Sequence, residues 1–321
     1  MVCLGLVLAS AGTSETSAAS VYRPGGLDLH QASRVLASRP GSVEGCALLR
    51  GPNNRDAAAT RPGSIERVLA VLAKSPTARQ VMVRTRDRGV HVCLDEKTEL
   101  LAYYFSSRGV IGVNSELSEG GRIAFLAHEL SHVPQHPRYS DNRYYSPEDL
   151  FLLRRIREAT AEAVATRIAW ELRVAGYPEP WIEKTDSPYS DVARAFQYAA
   201  ESDGSRQGLH AATRAAFDRW FAAGWRRNVY DKMTLDHLRR IASDGLGLVP
   251  PRHRLHERFL VGIAALGSGN FLAETFGPAL NDPHYAGRIS ELNKADLNRI
   301  LRDAELAATL IGEAPMSRAA L

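Results

Sequence analysis

The residues with the clearest chemical meaning are His128 and His132, which stand four positions apart in His128-Glu129-Leu130-Ser131-His132. Two histidines at this spacing on a helix project from one face about one turn apart, so both imidazoles can bind a single tetrahedral metal ion. Glu129 is held beside them, where a carboxylate can take a proton from water. The spacing therefore predicts a zinc site built for hydrolysis, with Glu129 as the catalytic base.

Chance is a weak explanation of this motif. The chain has 10 His among 321 residues, and independent placement gives roughly 0.02 matches to H-E-x-x-H per chain of this composition. The remaining alternative is a helix that carries two ordinary surface histidines and a glutamate.

The helix that presents the motif has a second, apolar stripe. Since such a stripe normally packs on a core, we expect the histidine face to point away from that core. Pro134 should end the helix, because proline cannot continue it. The stripe consists of Ile123, Leu126, Ala127, Leu130 and Val133.

A third metal ligand is expected on the helical segment 149–175. Zinc that keeps one position open for water needs three protein ligands, and this segment carries Glu158 and Glu162 one turn apart on a surface that is apolar nearly all round. Carboxylates are costly to bury there unless they meet a cation or hydrogen-bond donors, and a metal site supplies both. The alternative is that they form surface ion pairs with Arg154 and Arg155.

The two segments together resemble the gluzincin metallopeptidases, whose signature is H-E-x-x-H followed by a helix with E-x-x-x-D or a related acidic pair. Here the second element is Glu158-Ala-Thr-Ala-Glu162. The resemblance implies that Glu158 is the third zinc ligand and that Glu162 orients a ligand histidine through its other ring nitrogen. Glu162 departs from the Asp of thermolysin-like members. The motif-bearing likeness covers about residues 101–176, and the N-terminal half is also similar to an uncharacterised bacterial family of proposed metallopeptidases.

A donor for the developing oxyanion is needed beyond the metal. Tyr144 and Tyr145 lie in the stretch 138–147 between the two ligand segments, where enzymes related by this resemblance carry a tyrosine with that role. Ordinary packing is the alternative for each tyrosine.

Three short segments ahead of the metal helix are rich in β-branched and aromatic residues, which predicts a small sheet. They cover residues 89–94, 101–105 and 110–114. We expect the last of them to be an edge strand to which an extended peptide substrate could pair.

The chain after Ser118 has helical patterning to its end. The fold class expected is therefore α+β and zincin-like, with a small N-terminal sheet and an active-site helix followed by a mainly α-helical region. The expected domains are a leader and tether at 1–41, a metallopeptidase core at 42–185 and a helical subdomain at 186–321.

Composition excludes some partners. The net charge is only +4 and basic residues alternate with acidic ones, so nucleic acid is not indicated. No apolar stretch approaches the roughly 18–20 residues of a membrane span. We expect a peptide or protein substrate, and the sequence does not determine the oligomeric state.

The first residues form a short apolar run that ends in Ala9-Ser10-Ala11, which is typical of a signal-peptidase site. Although a positively charged start is missing, we expect export to the periplasm or medium rather than a cytoplasmic location. Cys46 and Cys93 would then be an even pair able to form a disulfide, or two separately buried thiols.

A second hypothesis is a zinc-binding interaction protein without proteolysis, in which the helical C-terminal half binds a partner. Glu129 favours the enzyme, because a purely structural site has no use for a base between its ligands. Structural zinc sites also favour cysteine, and none is near these histidines.

Overall fold

The computed structural model describes residues 2–4, 46–49, 61, 63–96, 98, 100–106, 108–135, 145–243, 255–266, 269–271, 283–286 and 289–313. The described part is mostly helical with one small sheet, so the α+β class is confirmed. The helices are α1 (Ile65–Leu72), α2 (Pro76–Thr85), α3 (Glu119–His132), α4 (Pro147–Val174), α5 (Glu179–Thr185), α6 (Ser190–Ser202), α7 (Arg206–Phe221), α8 (Gly224–Ser243), α9 (Glu257–Ile263), α10 (Pro283–Ala286) and α11 (Glu291–Glu313).

The main sheet has five strands in the order β1-β4-β5-β3-β2. Strands β3 and β5 are parallel, and the other pairs are antiparallel. Since β5 is hydrogen-bonded on both sides, the expectation that this strand offers a free edge to substrate is wrong. The strands are β1 (Val2–Leu4), β2 (Cys46–Leu48), β3 (His91–Asp95), β4 (Ala102–Phe105) and β5 (Val110–Asn114), with β6 (Ala265–Leu266) and β7 (Gly269–Asn270) in a separate pair.

The three predicted strands are confirmed, and the two outer strands were not predicted. Strand β1 lies within the apolar run expected to be a leader, and it pairs with β4. In β2, Cys46 lies directly opposite Cys93 of β3, and a disulfide joins them across 47 residues of sequence. Both strands have only three residues, which is too short for an alternating pattern to be visible.

Helix α5 packs closely against the start of α3. A Cβ added at Gly120 would lie 2.8 Å from the Cβ of Glu179 and 2.9 Å from its carbonyl carbon, so glycine is what permits this approach. Ser118 caps α3 by accepting from the Gly121 amide at 2.9 Å, and its hydroxyl donates to Glu183 of α5. The N-terminus of α3 is therefore fixed to α5.

Helix α4 is buried without interruption from residue 150 to residue 169, as its nearly all-round apolar surface predicts. Near its end, Glu171 accepts from the Thr77 amide at 2.9 Å and from the Thr77 hydroxyl at 2.7 Å. The first of these bonds satisfies the backbone amide of Thr77, one of the amides at the start of α2 that have no partner within the helix. Helix α2 was not predicted, because only two of its buried residues, Val81 and Met82, are large and apolar.

The chain divides into two compact units, one made of residues 1–137, 160–220 and 265–271 and the other of residues 138–159, 221–264 and 272–321. The dividing point falls inside the continuous helix α4. The second unit has its own apolar cluster, which includes Leu150, Phe151, Leu235, Leu238, Leu297 and Ile300. The contiguous domains expected from the sequence stay a prediction.

The described residues after Ser118 are mainly helical, as predicted, but the expectation that no strand follows Ser118 is wrong, because β6 and β7 pair there. The sequence pattern predicts a helix only from Leu235, whereas α8 begins eleven residues earlier at Gly224. Helix α5 was not predicted because its seven residues give little periodicity. The sequence also predicts a short helix at 29–37, which lies outside the described residues. None of the described helices combines the length and the hydropathy needed to cross a bilayer.

Candidate metal centre

His128 and His132 lie one turn apart on α3, as the spacing predicts. Their Nε2 atoms are 3.1 Å apart, and the rings meet edge to face with centroids 4.9 Å apart. The expectation that the histidine face points away from the core is wrong, because His128 is only 8% exposed and His132 is fully buried. The apolar stripe on the other side is buried too, so α3 is enclosed on both faces.

Glu158 of α4 completes a group of three possible ligands. A carboxylate oxygen of Glu158 and a ring nitrogen of each histidine all lie within 4.8 Å of one another. The alternative of surface ion pairs is wrong, since Glu158 is 2% and Glu162 is 4% exposed. Arg155 instead pairs with Asp231.

The other nitrogen of each ring is held by a side-chain acceptor. Nδ1 of His128 donates to Oε2 of Glu162 at 3.1 Å, and Nδ1 of His132 donates to Oε1 of Gln135 at 2.9 Å. Because an ionised carboxylate can only accept, the proton of His128 lies on Nδ1. Both Nε2 atoms are therefore left as acceptors that face each other.

This arrangement fits a divalent metal ion. When both rings are neutral and donate through Nδ1, their Nε2 lone pairs face each other at 3.1 Å, which suits a cation bound by both nitrogens. Two histidine nitrogens and one carboxylate are a donor set that zinc accepts, and partners on the second ring nitrogen are the usual support of a ligand histidine. The residues present are suited to hold zinc through His128, His132 and Glu158.

Lys184 of α5 was not expected from the sequence. Its ammonium group donates to both carboxylate oxygens of Glu162, at 2.8 and 2.9 Å, and the lysine is itself 5% exposed. Burial alone raises the pKa of Glu162, but Lys184 and the hydrogen bond from His128 outweigh it and lower that pKa to about 2. No sequence signal marks Lys184, which follows Glu162 by 22 residues on a short helix.

Gln135 was also missed, although it stands only three residues after His132. The helix ends at His132 and a 3₁₀ turn, Val133–Gln135, follows, so Pro134 ends the α-helix as predicted. This turn places the amide beside the ring of His132. A polar residue just after the motif was the available signal.

Comparison with known families agrees with this site. Residues 42–272 match the family model described as "Putative metallopeptidase family (DUF6782)". The chain belongs to this family. The match covers well over half of the chain and includes the described residues of the metal centre. A search of the curated proteins and a search of the solved structures returned no match.

Glu129 lies on α3 between the two candidate ligand histidines and is 1% exposed. Its role as the base stays a prediction.

Of the two tyrosines predicted as oxyanion donors, the structure describes only Tyr145. Tyr144 lies outside the described residues. Tyr145 packs beside the apolar cluster of the second unit and stacks on Phe259 with ring centroids 6.3 Å apart. Burial raises the pKa of its hydroxyl. A role for either tyrosine as an oxyanion donor stays a prediction.

A small pocket that is partly open to solvent adjoins the centre. Its lining includes His128 and Phe125 of α3, Lys184 of α5, and Tyr189, which follows α5. His128, Glu162 and Lys184 therefore line one wall of this pocket.

Proposed function

We propose that this protein is a zinc-dependent metallopeptidase of the gluzincin type, with a zincin-like core, that hydrolyses peptide bonds. The observation that carries the proposal is the buried group of His128, His132 and Glu158, whose ligand atoms lie within 4.8 Å of one another. Glu129 on the same helical turn favours catalysis over a purely structural metal. Membership of a metallopeptidase family supports the same reading.

In this proposal the chain's own residues divide the work. His128 and His132 offer their Nε2 atoms and Glu158 a carboxylate oxygen to the metal, while Glu162 and Gln135 hold the two rings. Zinc, when bound, lowers the pKa of a water molecule and polarises the substrate carbonyl. Glu129 accepts the proton of that water on a carboxylate oxygen and delivers it to the leaving amine.

The decisive experiment replaces Glu129 by glutamine. Glu129→Gln should keep the zinc content and lower the hydrolysis of a casein-type or fluorogenic peptide substrate by about 10²–10⁴-fold, the usual contribution of a positioned base. Glu119→Gln, at the half-buried start of the same helix, is the control; this carboxylate pairs with Arg67 at 3.2 Å, and the variant should retain activity. Zinc content is measured by metal analysis of the purified chain.

Unchanged turnover in Glu129→Gln would end the assignment. A wild-type chain that holds one zinc ion and hydrolyses no peptide would instead favour the alternative, a zinc-binding interaction protein. The two results are separated by measuring metal and turnover on the same preparation.

We also propose that the protein is exported. The disulfide between Cys46 and Cys93 supports this, because disulfides persist in oxidising compartments and are rare in the cytosol. Fractionation of expressing cells should find the protein outside the cytoplasm, and N-terminal sequencing should show a start after Ala11, so that the exported chain lacks β1 and its pairing with β4. A chain that keeps its first residues and two free thiols in the cytoplasm would contradict the proposal.

A further inference from the structure

The two ligand histidines are supported in different ways. His132 donates to the neutral amide of Gln135, whereas His128 donates to the carboxylate of Glu162. Glu162 is 4% exposed, so solvent does not balance its charge. Lys184 does, because its ammonium group donates to both carboxylate oxygens. The Glu162–Lys184 pair is neutral as a unit, as Gln135 is.

We propose that Lys184 is a positioning residue of the metal centre. It cancels the charge of Glu162 and fixes the carboxylate so that Oε2 stays on Nδ1 of His128. This inference rests on the proposed function, since the ring that is positioned belongs to a proposed metal ligand.

The geometry gives Lys184 control over the orientation of the carboxylate. Its ammonium bridges the two oxygens at 2.8 and 2.9 Å, which restrains rotation of the carboxylate about its terminal bond. The oxygen that His128 uses is also one of the two that Lys184 holds. Without the lysine, nothing described on the other oxygen would oppose rotation away from the ring.

The lysine comes from a helix that is anchored to the ligand helix itself. Helix α5 packs on α3 at Gly120, and Glu183, the neighbour of Lys184, accepts from the hydroxyl of Ser118, which caps α3. Because α5 is fixed to α3 by these contacts, the ammonium group of Lys184 can move little relative to His128. An outer partner held in this way acts on the metal through the ligand it orients.

Charge cancellation has a consequence for the metal. A carboxylate on the second nitrogen of a ligand imidazole raises the basicity of that ligand, which reduces the net positive charge that the metal offers to a substrate carbonyl. Pairing Glu162 with Lys184 weakens this effect. Both imidazoles then meet a neutral partner, and Glu158 remains the single charge among the three proposed ligands.

The competing explanation is that Lys184 only joins α5 to α4. The chain provides a control for the loss of a buried ion pair within α4, the helix that carries Glu162. Arg167 pairs with Glu171 at 3.0 Å, both side chains are similarly buried, and neither contacts the histidines in any described bond. Arg167→Met therefore removes a buried ion pair while leaving the centre intact.

The test uses the full chain with zinc or cobalt alone as the probe. Lys184→Met should lower the zinc affinity, measured by competition with a chromophoric chelator, by about 10–100-fold, because Glu162 then no longer holds the His128 ring in place, and this loss outweighs the gain in ligand basicity from an uncompensated carboxylate. It should also shift the visible absorption bands of the Co²⁺ form. Arg167→Met should lower thermal stability and leave both metal readouts unchanged.

Two further variants keep the inference testable if Lys184→Met does not fold. Lys184→Arg retains the charge, and a guanidinium can donate to both oxygens of one carboxylate, so it should recover most of the affinity. The double variant Glu162→Gln with Lys184→Met presents His128 with a neutral amide, as Gln135 does for His132. It should fold and bind zinc within about 10-fold of the wild type, since neither charge is left unpaired.

The inference is overturned if Lys184→Met keeps the wild-type zinc affinity and Co²⁺ spectrum, or if neither rescue variant recovers them. These readouts do not depend on hydrolysis. A wild-type chain that binds both metals but cleaves no peptide rejects the proposed function alone, whereas unchanged metal binding in Lys184→Met rejects the positioning role alone.

Discussion

Helix α4 carries two buried ion pairs that differ in what they contact. Arg155 donates to both carboxylate oxygens of Asp231, at 2.8 and 2.6 Å, and both residues are 1% exposed. Seven residues further along, or about two turns, Glu162 accepts from Lys184 at similar distances. The first pair joins α4 to α8 and the second joins α4 to α5.

The difference lies in the third partner. Asp231, besides forming a two-point fork with Arg155, accepts a side-chain hydrogen bond from Asn293, whereas Glu162, besides pairing with Lys184, holds the ring of His128. Burying either pair costs desolvation, which the mutual attraction repays only with good geometry. We infer that the first pair acts on the stability of its unit, and that the second acts on the properties of a proposed metal ligand.

The largest effect expected concerns the purely structural pair. Asp231→Asn should lower the free energy of unfolding by about 3–5 kcal/mol, because it removes the carboxylate that pairs with the buried Arg155 guanidinium. Zinc affinity of the folded chain should change little. Chemical denaturation and chelator competition measure the two quantities. A stability loss below about 1 kcal/mol would remove the contrast between the pairs.

The next effect concerns the ligand on the same helix. Glu158→Gln should lower zinc affinity by more than about 100-fold, since outer partners alone account for about 10–100-fold. Glu148→Gln, at the exposed start of α4, is the control and should bind zinc normally. Full zinc occupancy in Glu158→Gln at limiting metal would mean that another residue is the third ligand.

The smallest effect separates the two histidine supports. Gln135→Leu removes a neutral hydrogen bond to His132, which is worth about 1 kcal/mol, so zinc affinity should fall by only about 5- to 10-fold. Lys184→Met should cost more than this in the same chelator assay. Equal losses in the two variants would show that the charged support of His128 has no special importance.

The residues of the site that lie close together along the chain could be predicted from the sequence, because the geometry of a single helix determines how they are placed. His128, Glu129 and His132 lie within one and a half turns of a helix, and a fixed helical period brings them together in any environment. The same applies to Glu158 and Glu162, whose apolar surroundings on one helix predicted burial. Three short runs of β-branched and aromatic residues predicted the sheet. The strands at its edges, β1 and β2, were not predicted because each has only three residues.

Other features depended on packing between distant segments. The sequence indicated that the histidines would face away from the core, but α3 is enclosed on both faces, and a single apolar stripe does not show how many neighbours a helix will have. It also suggested β5 as a free edge, whereas strand order is set by long-range pairing that no local pattern records.

By itself, the sequence determined the identity and spacing of the residues able to bind a metal and activate water, because those depend on side-chain chemistry and the helical repeat. The tertiary structure alone decided which groups hold the two rings. Lys184 reaches Glu162 because Gly120 lets a short helix approach the metal helix, and such an approach arises from the packing of separate elements in three dimensions.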